Sequence, residues 1–148
     1  MLNYNSVIKN EINQESISVK EISPVIKINL RGKKREFLTN VGKNLNMILP
    51  TEANTSTMSD KLTAIWLSPD EWMIISNELA SKDTNKSDLY EMLFNSISKT
   101  NLGAVIDVTD QFVQLELKGE MSMKSFQQDL PLILMILKKK KDQQLRLF

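Results

Sequence analysis

The chain has 148 residues, 41% hydrophobic and 25% charged, with a net charge of +1, no cysteine and no histidine. That length is enough for one domain with a buried core, and the small net charge gives no bulk attraction to nucleic acid or an anionic membrane. Without Cys and His there are no disulfides, no thiolate or imidazole triads, and none of the usual zinc and non-haem iron sites.

Residues 1–15 lack an apolar core of signal-peptide length, and no window approaches the roughly 18 apolar residues of a spanning helix. A cytoplasmic protein with no membrane partner is expected. Residues 1–16 read as a flexible N-terminal segment, with a short helical piece within 1–14. Ile17, Val19 and Ile22 alternate like one face of an edge strand. Residues 25–31 form a period-2 strand with Ile26, Ile28 and Leu30 on one face, ended by Gly32. Phe37, Leu38, Val41, Leu45 and Ile48 recur at helical spacing, which predicts an amphipathic helix over 34–49 stopped by Pro50. Residues 51–60 are polar and read as a loop.

The richest stretch is 62–76, which holds both tryptophans. Ile65, Trp66 and Leu67 predict one buried strand and Met73, Ile74 and Ile75 a second, turned by Ser68-Pro69-Asp70-Glu71. Residues 77–86 read as a surface loop. Ser87 or Asp88 is placed to cap a helix to about Lys99 with Leu89, Met92, Leu93 and Ile97 inward. Residues 104–109 and 112–117 predict a strand pair around an Asp-Gln corner. The order β-α-β-β-α-β-β predicts an α+β fold, a mostly antiparallel sheet with two or three helices packed on it.

No constellation forces a chemistry. Asp70 and Glu71 are neighbouring carboxylates, yet adjacent residues on a turn point apart, which favours a solvated corner over an acid–base pair. Asp107 and Asp110 bracket a strand end in the same manner. Arg31-Gly32-Lys33-Lys34-Arg35 is a basic cluster where a strand enters a helix. With a single glycine it matches neither the P-loop nor the dinucleotide fingerprint, and it reads as a solvated face or as a partner or anion contact. Trp66 and Trp72 are core before they are a stacking platform. No catalytic, cofactor-binding or metal-ligating residue is assigned.

Several blocks occur in a familiar order and spacing. They are Leu30-Arg31-Gly32 leading into Phe37 and Leu38, Leu49-Pro50-Thr51-Glu52-Ala53-Asn54-Thr55, and Trp66-Leu67-Ser68-Pro69-Asp70-Glu71-Trp72. Val105-Ile106-Asp107-Val108-Thr109-Asp110 and residues 113–119 follow. Over residues 18–119 the chain resembles the gamma subunit of heterotetrameric sarcosine oxidase. The Leu-Arg-Gly block is shared with aminomethyltransferase-like, folate-binding relatives. The resemblance implies an aminomethyltransferase/folate-binding-type domain lacking its last strands. It also implies a non-catalytic role in assembly and stability beside alpha, beta and delta subunits. FAD, FMN, NAD and tetrahydrofolate would sit on the partner subunits, and none on this chain. Such a complex demethylates sarcosine oxidatively to glycine, passing the one-carbon unit to tetrahydrofolate or releasing formaldehyde. The alternative is a freestanding folate-binding one-carbon module, with Asp70, Glu71 or Asp107 clamping the pterin.

The resemblance stops at Glu120, which divides the chain into 1–16, an α+β domain over 17–120 and an atypical tail over 121–148. Leu130-Pro131-Leu132-Ile133-Leu134-Met135-Ile136-Leu137 is a continuous apolar run followed by four lysines. Read with AT-rich codons one base out of register, the tail permits a helix ending in Thr-Gly, then Leu-Asp-Phe and a basic strand start, which resembles the family's next block. A frame change near Glu120 is therefore expected. A sheet without its closing strands leaves an unpaired edge, so the isolated chain is expected to self-associate.

Overall fold

The computed structural model describes residues 5–6, 12–14, 17–22, 24–79, 88–118 and 144–147. In chain order these form β1 (Ile12–Gln14), β2 (Ile17–Glu21), β3 (Val25–Arg31), α1 (Arg35–Leu45), β4 (Ser56–Met58), β5 (Leu62–Ser68) and β6 (Glu71–Leu79). Then come α2 (Asp88–Leu93), which widens into a π-helical turn (Phe94–Ser98), β7 (Ala104–Asp107), a 3-10 turn (Thr109–Gln111), β8 (Leu115–Lys118) and β9 (Gln144–Leu147). The fold is α+β, with two antiparallel sheets. The chain divides into two compact units, Pro24–Thr109 and Met1–Ser23 with Asp110–Phe148.

The larger unit holds a five-stranded sheet in the order β4-β5-β6-β3-β7. The β5–β6 hairpin forms where the sequence predicts it, because Pro69 supplies a turn between two apolar runs. Its register sets Trp66 opposite Trp72 and Ala64 opposite Ile74, with a bulge between Trp66 and Ser68. One face of the sheet meets the helices. Ile28, Leu30, Ala64, Trp72, Ile74 and Val105 pack there with Phe37, Val41 and Leu45 of α1 and with Leu93 and Ile97. Ile65, Met73 and Ile75, whose side chains alternate to the other face, are buried too.

Several expectations are corrected. α1 ends at Leu45, because Asn46 adopts a left-handed conformation and its N–H bonds the Gly42 carbonyl. Leu49 is buried and Ile48 lies outside, reversing the helical reading of residue 48. The loop at 51–60 contains β4, which pairs with β5 although it has no apolar alternation. The predicted helix to Lys99 is two short pieces. The wide turn keeps Leu93 and Ile97 inward but leaves Met92 at the surface.

The largest correction concerns β7 and β8, which are not a pair. β7 pairs with β3, and β8 pairs with β2 and β9. The chain leaves the larger sheet at residues 108–109. There the Val108 N–H donates to the Lys27 carbonyl at 3.0 Å and the Lys27 N–H donates to Thr109 Oγ1 at 3.1 Å. On the other edge of β7, the Val105 N–H donates to Ser98 Oγ at 3.1 Å, so a side chain from the π turn occupies a group that a neighbouring strand would use.

The second unit holds a four-stranded sheet in the order β1-β2-β8-β9. Residues 12–14 are a strand rather than part of a helical piece, and β2 is an interior strand rather than an edge, because β1 pairs along it. In the tail, Gln144–Leu147 pairs with β8. Residues 1–4, 7–11 and 15–16 of the predicted N-terminal segment, residues 80–87 including Ser87, and the apolar run at 130–137 lie outside the described residues.

Candidate functional site

The β3–β6 register places Arg31 opposite Glu71 and Leu30 opposite Trp72, which brings the strand-to-helix junction against the β5–β6 turn. A charged corner results. Glu71 Oε1 accepts from Asn29 Nδ2 at 2.8 Å, the diagonal neighbour on the same face, and Glu71 Oε2 lies 4.0 Å from the Arg31 guanidinium. Asp70 Oδ1 accepts from Ser68 Oγ at 2.9 Å, and Asp70 Oδ2 lies 3.7 Å from Lys33 Nζ. The Gly32 N–H donates to the Asp70 carbonyl at 3.0 Å, closing the corner through the backbone.

This electrostatic setting holds Asp70 below the ordinary carboxyl value of 3.8. The Ser68 hydrogen bond is the main cause, with the Lys33 and Arg31 charges assisting against partial desolvation. A general base working near neutrality needs the opposite displacement. The corner therefore keeps Asp70 ionised and engages both carboxylates, and the geometry suits a structural clasp. The exposed Lys33–Asp70 pair adds little energy of its own.

The other acids are elsewhere. Asp107 stands opposite Ile28, three residues along β3 from Arg31, which is about 10 Å away. It accepts the Thr109 N–H at 2.9 Å, the turn role expected of it, and Asp110 is exposed in the 3-10 turn. The basic cluster splits. Arg31 and Lys33 face the corner, Lys34 precedes α1 with no side-chain cap hydrogen bond, and Arg35 begins the helix. Among the described residues no group of three or more acidic side chains could hold a metal ion, and no helix is long and apolar enough to cross a membrane.

Beneath the corner lies the buried core. Trp72 is 2% exposed, and its Nε1–H donates to the Pro50 carbonyl at 2.7 Å. Its ring meets Phe37 with centroids 5.7 Å apart and an interplanar angle of 33°. Phe37 in turn lies on two glycines. A Cβ at Gly32 would stand 2.5 Å from the ring, and one at Gly103 would stand 2.9 Å from it and collide with the Arg31 carbonyl oxygen. Leu30-Arg31-Gly32, Leu49-Pro50 and Asp70-Glu71-Trp72, far apart in sequence, are thus joined through Trp72 and Phe37. Asn29, Ser68 and Gly103 complete the arrangement. Sequence reasoning placed Ser68 in the turn without a role and did not single out Asn29 or Gly103, although Asn29 sits two residues from Arg31 on one strand face.

The fold resembles that of a sarcosine oxidase chain. The solved structure is heterotetrameric sarcosine oxidase from Corynebacterium sp. U-96 in complex with pyrrole 2-carboxylate, matched with a TM-score of 0.63 at 18% identity. The match covers 77% of this chain and 56% of that chain, so the present chain spans little more than half the length of its structural neighbour. No family model and no curated protein matches the sequence.

Proposed function

We propose that this chain is a non-catalytic, gamma-type subunit of a sarcosine oxidase complex, contributing contact surface and stability to flavoprotein partners. One observation carries the reading. Three of the blocks that resemble the gamma family, Leu30-Arg31-Gly32, Leu49-Pro50 and Asp70-Glu71-Trp72, converge on a single packed unit around Trp72, and Asp70 and Glu71 are already engaged by Asn29, Arg31, Ser68 and Lys33. Residues that meet in a core and in a clasp serve shape. The shared fold agrees with this assignment.

In this reading alpha, beta and delta subunits are the partners, and FAD, FMN, NAD and tetrahydrofolate are bound by them. The complex would oxidise sarcosine to glycine in the cytoplasm, passing the one-carbon unit to tetrahydrofolate or releasing formaldehyde. The test is co-expression of the tagged chain with the alpha, beta and delta subunits of its source organism. The reading expects a stoichiometric, flavin-coloured complex. Assembly of a fully active flavoprotein without this chain would overturn it. The rival reading, a freestanding folate-binding module, needs a carboxylate free to clamp a pterin, and it is tested by calorimetric titration of the isolated chain with tetrahydrofolate. Saturable heat that is lost in Asp70→Asn or Asp107→Asn would favour the rival.

A further inference from the structure

The outer surface of α1 carries an open groove of about 660 Å³ that the charged corner does not use. Its shape follows from the helix repeat. Residues four apart stack along one face, and the row Leu38, Gly42, Asn46 has no side chain at its centre. The groove lies along that gap, with Leu38, Met47 and Leu49 among its lining residues. The neighbouring row is Arg35, Thr39, Lys43, so two exposed cations stand about 12 Å apart along the helix axis beside an apolar floor. Among the described residues neither cation is held in an ion pair, and no carboxylate lines the groove.

At the far end stands Ile48, 83% exposed. The left-handed Asn46 ends the helix and turns the chain so that Leu49 enters the core while Ile48 stays outside. An exposed side chain by itself is ordinary, but Ile48 continues the apolar lining of Leu38, Met47 and Leu49, and a contiguous apolar strip of this kind marks a surface that another polypeptide covers. Charge indicates what kind. The groove's lining carries two cations and no carboxylate, in a chain whose whole net charge is +1. A second copy docking through the same groove about a two-fold axis would bring the Arg35 and Lys43 cations of the two copies together.

We infer that this groove docks an acidic segment of a partner subunit, which lays an apolar side chain against Leu38, Met47 and Ile48 and sets carboxylates against Arg35 and Lys43. The inference rests on the proposed subunit role and adds where and by what chemistry the partner is held.

The test measures, by biolayer interferometry at low and at physiological salt, rebinding of the purified chain to an alpha–beta–delta assembly that was formed with the chain and then stripped of it. Two variants probe the groove, Ile48→Asp and the double exchange Arg35→Glu with Lys43→Glu. Met58→Ser is the control, because Met58 is also exposed but points to the opposite sheet face from Thr57, whose hydroxyl bonds the Ile48 carbonyl. All four positions are exposed, so circular dichroism and melting temperature should match the wild type. The expected result is a loss of about tenfold or more in affinity for each groove variant, with Met58→Ser unchanged. The double exchange should also abolish the weakening of binding by salt. Wild-type binding that survives both groove variants overturns the docking site alone. So does loss in the charge exchange with Ile48→Asp unaffected, because a purely electrostatic contact needs no apolar groove. A chain that is dimeric on its own and becomes monomeric with Ile48→Asp assigns the groove to a second copy and overturns the partner assignment. Absence of wild-type binding to the assembly overturns both this inference and the subunit role.

Discussion

Replacing Trp72 by Phe tests whether the indole is the keystone of the fold. Two losses follow. The Nε1–H no longer reaches the Pro50 carbonyl 2.7 Å away, and Pro50 is buried, so an acceptor is left without its donor. Leaving a buried acceptor unsatisfied costs about 1–3 kcal/mol. The smaller ring also leaves a void beside Phe37 and Ile74, which adds about 1 kcal/mol. Together these predict a loss of about 2–4 kcal/mol, a large part of the stability of a domain this size. At roughly 2–4 °C per kcal/mol for chains near this length, the melting temperature should fall by about 5–15 °C. Urea titration and thermal melting followed by far-ultraviolet circular dichroism read the change without depending on tryptophan emission. Lys34→Ala is the exposed control. A loss for Trp72→Phe no larger than that of Lys34→Ala would refute the role given to the indole.

Gly103→Ala should destabilise by about 1–3 kcal/mol, since the added methyl would press on Phe37 and on the Arg31 carbonyl oxygen, and a backbone atom cannot swing aside. A stability equal to wild type in the same urea titration would mean that β7 and α1 are not packed as described. For Asp70, whose folded pKa is depressed, the stabilisation is present above the ordinary carboxyl value of 3.8 and is lost as pH falls through the lower folded value. Carboxyl NMR titration should find Asp70 below 3.8, and Ser68→Ala should move it upward.

What the sequence disclosed depended on how local each cause is. The hairpin over 62–76 was legible because two apolar runs flank a proline, and β3 because Ile26, Ile28 and Leu30 alternate. The end of α1 was not. Apolar spacing pointed to Ile48, but a left-handed residue at Asn46 changed which side chain faces inward. β4 escaped notice because Ser56-Thr57-Met58 has no apolar rhythm and becomes a strand only against β5. Residues 104–109 and 112–117 read as a strand pair because they are close in sequence. Their partners, β3 on one side and β2 on the other, lie far along the chain, and nothing local encodes such pairings. The charged corner was half visible. Arg31, Lys33, Asp70 and Glu71 stood out by type, whereas Asn29 and Ser68, which engage the carboxylates, are set by cross-strand register and a turn.

The central claim is that the acids of this chain hold its fold and that its partners perform the chemistry. The most direct measurement is sarcosine turnover by the assembled complex carrying Asp70→Asn, Glu71→Gln and Asp107→Asn together. The account predicts a kcat equal to that of the wild-type complex once subunit stoichiometry and flavin content are matched. A fall in kcat of an order of magnitude or more, in an assembly that is otherwise intact, would contradict it.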